Sequence, residues 1–395
     1  MAPSISKPVQ RSRLADVDVF RGVAAFAVAA LHTREIMWVG FRESWQLNGG
    51  LHASPDALLG YLTFPLVWGS IGVPIFFVLS GYCIHRSQAF AHARAGYFQV
   101  SVGNFLLRRF CRIYPVFVGA LLFTLLCDSA SRHFFPNSMK LGDTGIGAFL
   151  VNVLSIQGIA RKNFGSDGPL WTLSIEVQFY ALYPLLLEAM RRIGNLRTLL
   201  LLIVLNIASY FTFQRHGYQL FSNYYASWYL GALVAEYEAA GLPARLIGSA
   251  KRHALLYGLS LTLTCCGCAI FFLGRIGQYG AHQVWAAAFA ALLFTLLGRP
   301  MALHGLAARL FRWLGTFSYS IYVIHFPLIV LIGSVLFHSV KQVSFVPFCT
   351  TLFAIVGCAY AFSLVFERPA LALSQKLKQP LHSYALTVAP SERSA

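Results

Sequence analysis

The chain has 395 residues, 57% of them hydrophobic and only 11% charged. A soluble globular protein carries about 25% charged residues, so this composition excludes an ordinary soluble enzyme and specifies an all-α polytopic membrane protein. The formal net charge is +17; the basic residues fall in short clusters between apolar runs, which reads as cytoplasmic loops and lipid-headgroup contact, with no nucleic acid as partner.

Residues 1–15, with Lys7, Arg11 and Arg13, are polar and are expected to form a disordered cytoplasmic N-terminus. Residues 16–369 read as one transmembrane domain and 370–395 as a cytoplasmic C-terminal tail. The first apolar run is long and lacks a small-residue cleavage site, so it is expected to stay in the protein as the first span. Spans are expected at 17–37, 64–84, 113–127, 171–189, 198–213, 222–239, 254–273, 282–298, 316–337 and 346–366. Residues 146–156 are apolar but about half the ~20 residues a spanning helix needs. If they crossed, Arg191, Arg192, Arg197 and every later basic loop would face outward. They are therefore read as re-entrant or interfacial, which gives about ten spans with both termini cytoplasmic. The eight cysteines show no two C-x-x-C motifs that could pair, and the run Cys265, Cys266, Gly267, Cys268 reads as small-residue packing, so no metal site is expected.

The first span, from Asp18 to Glu35, is alanine-rich yet carries Asp18, Arg21 and His32. On a helix Arg21 and His32 lie about 20° apart in azimuth and roughly 16 Å apart along the axis, and Asp18 sits one turn before Arg21 on nearly the same face. Ionisable groups are costly in hydrocarbon, so such a stripe faces a protein interior or a watery cavity. Gly22 and the alanines admit close neighbours. Arg109 and Arg112 share a helix face beside Arg108 at the start of the third span, a geometry suited to phosphate; simple positive-inside anchoring is the competing reading. Further on, Thr172, Glu176 and Tyr180 recur at four-residue spacing after Trp171, and Glu176 lies about 8 Å inside its helix. Ser318, Tyr322 and His325 share one face of the ninth span. For His325 a satisfied structural histidine is favoured.

These residues together resemble the membrane acyltransferase 3 family, bacterial proteins that O-acylate cell-surface and secreted glycans, with some members acting on small molecules. The resemblance rests on Arg21, ten residues and His32, preceded by Asp18; on Phe76-Phe77-Val78-Leu79-Ser80-Gly81; on Arg109 and Arg112 ahead of Tyr114-Pro115; on Trp171-Thr172-Leu173 leading to Glu176 and Tyr180, with Thr172 where serine is usual; and on Ser318, Tyr319, Tyr322 and His325. Glu367-Arg368-Pro369 also resembles the family's ending, and is expected to terminate the last helix with an interfacial ion pair. The resemblance runs from Asp18 to Pro369. Some members append an esterase-like domain, for which no room is expected here.

The resemblance implies a membrane O-acyltransferase that moves an acyl group, acetyl by expectation, from acyl-CoA to a hydroxyl of a cell-envelope or secreted polysaccharide. Acetyl-CoA is then a donor substrate, and no cofactor is bound permanently. The expected catalytic residues are His32 as base or transient acyl carrier, Glu176 orienting or charge-balancing it, and Arg21 holding register or contacting the donor. Arg108, Arg109, Arg112 and Ser80 are expected on the donor side, with Asp18, Trp171, Tyr180, Tyr322 and His325 supporting the site. The implied acceptor is a polysaccharide or lipid-linked glycan, with polysaccharide-synthesis machinery as a partner, in a bacterial inner membrane. Two rivals share the buried charges: a polytopic transporter of a glycan or lipid, and a non-catalytic assembly partner. Transfer to a small secreted metabolite is a third alternative.

Overall fold

A computed structural model describes residues 7–377, apart from 48, 50–53, 99, 137, 139 and 300–303, with the side chains of 7–16 left aside. The described chain is helical: α1 (Lys7–Met37), α2 (Phe41–Leu47), α3 (Pro55–Leu62), a 3-10 stretch Phe64–Ile71, α4 (Gly72–Ala95), α5 (Val102–Phe134), α6 (Ile146–Val153), α7 (Gln157–Ala160), α8 (Trp171–Thr212), α9 (Tyr225–Ala239), α10 (Leu242–Leu246), α11 (Ala250–Ile270), α12 (Gly274–Gly298), α13 (Leu306–Gly315), α14 (Ser318–Phe337), α15 (Val346–Phe362), a π turn Ser363–Glu367 and α16 (Arg368–Lys376). Among the described residues the only bridge between extended segments joins Trp38 and Gln342.

Among the described residues seven helical stretches are long and apolar enough to cross a membrane: Pro55–Ala95, Val102–Phe134, Gly168–His216, Ala250–Ile270, Gly274–Gly298, Ser318–Phe337 and Val346–Lys376. The stretch Gly168–His216 contains two of the expected spans, 171–189 and 198–213, broken at Gly194 where φ is 77°. Two further expected spans fall on α1, whose charged side chains keep it out of that class, and on α9, which has 15 residues. At 1.5 Å per residue α6, with 8 residues, is roughly 12 Å long and does not cross. The polar N-terminus departs from expectation: α1 already begins at Lys7, inside the segment read as a disordered tail. Residues 1–6 and 378–395 lie outside the described chain.

α1 is the axis of the bundle. Its Ala24, Ala25, Val28, Ala29 and Ala30 are buried. Glycine makes the contacts around it close. A Cβ on Gly22 would lie 1.9 Å from the Phe311 carbonyl oxygen of α13, and one on Gly315 would lie 1.9 Å from the Asp18 carbonyl oxygen. The same device joins α4 to α9: a Cβ on Gly81 would meet the Trp228 carbonyl oxygen, and one on Gly231 the Val78 carbonyl oxygen, each at 1.9 Å. Where lipid replaces water outside, close van der Waals contact between backbones is a principal source of helix association.

Polar contacts lock one end of the bundle. The end of α1 is tied to the connection between α14 and α15, where Gln342 N donates to Met37 O at 2.7 Å and Trp38 Nε1 to Val343 O at 3.1 Å. The loop before α8 is pinned to α5, with Ser166 N and Oγ donating to Asp128 at 2.7 and 2.6 Å and Thr124 Oγ1 to Asp167 at 3.2 Å. Burial holds the Asp167 carboxyl well above the ordinary carboxylate range, which suits a neutral hydrogen-bonding group.

The α1–α13 contact gives a direct test. Gly22→Val is expected to destabilise the protein by about 3 kcal/mol or more, since backbone must move to admit the side chain. Gly103→Ala on α5, where a Cβ meets open space, is expected to stay within about 0.5 kcal/mol of wild type. Thermal unfolding in detergent measures both, and equal stabilities would show that close approach at Gly22 is not needed.

Candidate active site: two cavities along one helix

One face of α1 lines two separate cavities. The first, of about 370 Å³, takes Asp18 and Arg21 from α1, Ser80 and Cys83 from α4, Arg109 and Arg112 from α5, Thr172, Glu176 and Tyr180 from α8, Ser318, Tyr319 and Tyr322 from α14, and Glu367 from the π turn. The second, of about 420 Å³, takes Val28 and His32 from α1, Ser70, Val73, Asn163, Pro169, Trp171, His282 from α12, Tyr322 and Phe326. Val73 and Tyr322 line both.

In the first cavity Arg21 lies 3.5 Å from Asp18, one turn away, and its Nη2 donates to the Cys83 thiol at 3.7 Å. Glu176 accepts from Ser80 Oγ at 2.9 Å and from the Tyr180 hydroxyl. Trp228 Nε1 donates to the same Ser80 at 3.2 Å. The i, i+4, i+8 spacing thus does what it predicts: Thr172, Glu176 and Tyr180 face one space. The Arg109 guanidinium lies over both Phe105 and Tyr180, at 5.5 and 5.7 Å from the ring centres. Cation–π contact holds it without neutralising its charge. Arg112 also lines the cavity, but Arg108 does not; there the carbonyl of Arg108 accepts from Ser374 Oγ at 3.0 Å, docking α16. Of the three arginines expected on the donor side, two line the cavity, and the third, Arg108, does not.

Glu367 departs from expectation. Its carboxylate accepts from Ser320 N at 2.9 Å and Ser320 Oγ at 2.6 Å, and it lines the first cavity. The helix continues through Pro369 as α16, and Arg368 lies over the Tyr360 ring at 5.2 Å instead of pairing with it. The π turn rotates Glu367 inward, a register shift that a sequence reading at 100° per residue cannot supply.

His32 lines the second cavity, whereas Glu176 lines the first. The expected Glu176–His32 pairing is therefore replaced. The carboxylate beside the imidazole is Glu35, with Oε2 3.5 Å from Nδ1. The ring stacks on that of His325 at 5.3 Å and 28° and meets Phe326 edge-on at 5.2 Å. His325 is fully buried. Its Nδ1 lies 2.6 Å from the Tyr322 carbonyl oxygen, which can only accept, so Nδ1 carries the hydrogen; Nε2 is buried without a partner. Arg21 and His32 do share a face, but about three helical turns separate them, and Tyr322 and Val73 line the cavities on both sides. Trp171 lines the second cavity and packs on Tyr224 at 5.5 Å.

Sequence reasoning passed over Cys83, Ser70, Asn163 and His282. His282 carried a usable signal, an ionisable group within an apolar helix, the criterion that singled out His32. The loop residue Asn163 and the 3-10 residue Ser70 carry none.

The family model described as an acyltransferase domain, acyltransferase 3, matches residues 14–366. The chain is 28% identical over 313 residues to YrhL of Bacillus subtilis (strain 168), provisionally named a peptidoglycan O-acetyltransferase, covering 70% of this chain and 47% of that protein. It is 24% identical over 302 residues to the peptidoglycan O-acetyltransferase OatA of Listeria monocytogenes serovar 1/2a, covering 68% and 46%. It is 30% identical over 175 residues to nodulation protein 10 of Rhizobium leguminosarum bv. viciae, covering 39% and 42%. The chain thus spans somewhat under half the length of the curated relatives it matches. No solved structure matches it.

Ser80 joins Trp228 and Glu176 through one hydroxyl. Ser80→Ala leaves a buried indole N–H without an acceptor and is expected to cost about 1–3 kcal/mol. A thermal midpoint in detergent identical to wild type would show that these groups find other partners.

Proposed function

Starting from a chain that belongs to the acyltransferase 3 family and is a multi-pass membrane transferase of acyl groups, we propose that it carries an acetyl group from acetyl-CoA to a hydroxyl of a cell-envelope glycan at the bacterial inner membrane, with both termini and the Arg109 end of the bundle in the cytoplasm. The observation that carries this reading is the division of one face of α1 between two cavities, Arg21 in the first and His32 in the second. The peptidoglycan O-acetyltransferase names of two relatives support a glycan acceptor.

The donor enters the first cavity. Its phosphates meet Arg109 and Arg112, whose planar guanidiniums match phosphate oxygens, and Arg21 lies deeper along the path. The glycan hydroxyl occupies the second cavity beside His32. Histidine is the side chain commonly used to take a proton from a hydroxyl in catalysis. As His32 takes the proton, the hydroxyl oxygen attacks the thioester carbonyl. The tetrahedral intermediate collapses, the carbon–sulfur bond breaks, and the departing thiolate accepts a proton to leave as CoA. The Glu35 carboxylate lies 3.5 Å from Nδ1 of that ring. Glu176, held by Ser80 and Tyr180, keeps the charge of the arginine-lined cavity balanced.

Two outcomes test the assignment. His32→Ala is expected to lower acetylation at least about 100-fold, the contribution of a positioned general base, while the protein still inserts in the membrane. Mass spectrometry of envelope glycans from strains carrying wild type, variant and deletion measures this, and near-normal acetylation in the variant refutes the role of His32. For the donor cavity, Arg109→Ala and Arg112→Ala are each expected to raise KM for acetyl-CoA about tenfold or more, as loss of one charged hydrogen bond implies, with a smaller change in kcat. An unchanged KM in both would place the donor elsewhere. Acetylated product formed from acetyl-CoA by the purified protein in detergent separates this enzyme from a transporter.

A further inference from the structure

The two cavities meet at two side chains, Val73 and Tyr322. Tyr322 is fixed there. Its hydroxyl accepts from Thr172 Oγ1 at 2.8 Å and donates to the Pro169 carbonyl at 3.0 Å. Its ring meets Phe76 edge-on at 5.7 Å, and the residue is buried. With both hydroxyl functions used and the ring packed, the phenol is a fixed threshold and not a swinging gate.

Arg21 and His32 stand on opposite sides of this threshold, roughly 16 Å apart along α1. A donor gripped by Arg109 and Arg112 must therefore pass its acyl carbon between Tyr322 and Val73 to meet His32 or the acceptor. We propose that Tyr322, with Val73 opposite it, is the specificity-determining element for the acyl group. It admits acetyl and excludes longer chains, because added methylenes would press on the fixed phenol and the Phe76 ring or fill the acceptor's space. This inference rests on the transfer reading above.

The test uses the intact protein in cells fed butyrate, so that acetyl-CoA and butyryl-CoA are both present, and whatever acceptor the cell supplies. Butyryl and acetyl esters on envelope and secreted glycans are quantified by mass spectrometry. Tyr322→Ala and Val73→Ala are each expected to raise the butyryl-to-acetyl ratio about tenfold or more, whereas Tyr322→Phe, which keeps the ring, is expected to stay within about threefold of wild type, in line with the discrimination a methylene or two carries in a shaped apolar pocket. In parallel, the purified protein in detergent is titrated with acetyl-CoA and butyryl-CoA. Wild type is expected to prefer acetyl-CoA and the two alanine variants to lose that preference. Val73→Ala removes only two methyl groups, so it keeps the test open if Tyr322→Ala does not accumulate. Alanine variants that retain the wild-type ester ratio and donor preference overturn the proposal. A wild-type strain with no esters beyond those of the deletion strain sinks the transfer reading instead, and with it the premise of this one.

Discussion

Hydrocarbon does not hold bare charge, and the rest of the structure follows from where α1 puts its charges. Asp18, Arg21 and His32 occupy one face of a helix whose stretch 22–31 is glycine, valine, alanine, phenylalanine and leucine alone. That face cannot point at lipid without a cost of several kcal/mol, so other helices must close around it. The small residues on α1 and the glycines opposite let them do so at backbone contact. Gly22 and Gly315 bring α13 against α1, and Gly69 and Gly72 bring the start of α4 against it, where a Cβ would lie 2.3–2.4 Å from the Ala27 and Ala24 carbonyl oxygens.

The space left inside is split by chemistry. Toward the N-terminal half of α1 it is lined by arginine, glutamate and tyrosine; toward the C-terminal half by histidine, tryptophan and apolar side chains. The first environment suits an anionic, phosphorylated donor and the second a neutral, hydroxyl-bearing acceptor. A reaction between two such substrates needs the reacting atoms to meet where the two spaces adjoin, which is the position of Tyr322.

A second polar cluster holds α4 to α9 and lines neither cavity. His85 sits between the Tyr183 hydroxyl at 2.8 Å and Glu236 at 2.7 Å. Arg86 donates twice to Glu238, at 2.8 and 3.0 Å, and Tyr82 donates to the same carboxylate at 2.8 Å. Buried groups of this kind are costly unless every member is paired. Complete pairing gives the helix pair one register, in concert with the glycine contact of Gly81 and Gly231. Since α4 also carries Ser80 and Cys83, that register sets one wall of the first cavity.

The amino-acid sequence by itself determined the class of the molecule, the positions of its helices and which residues of a given helix share a face, because helical periodicity and the cost of charge in lipid are local properties. Asp18 with Arg21, Thr172 with Glu176 and Tyr180, and Arg109 with Arg112 were all legible on that basis. Only the tertiary structure decided which faces meet. It placed His32 and Glu176 in different cavities, left Arg108 out of the cavity that Arg109 and Arg112 line, and drew Glu367 inward through a π turn. It also gathered Ser70, Asn163 and His282 from three distant segments beside one imidazole. Such pairings depend on how rigid helices cross and where one turn slips register, and no spacing within a single helix encodes them.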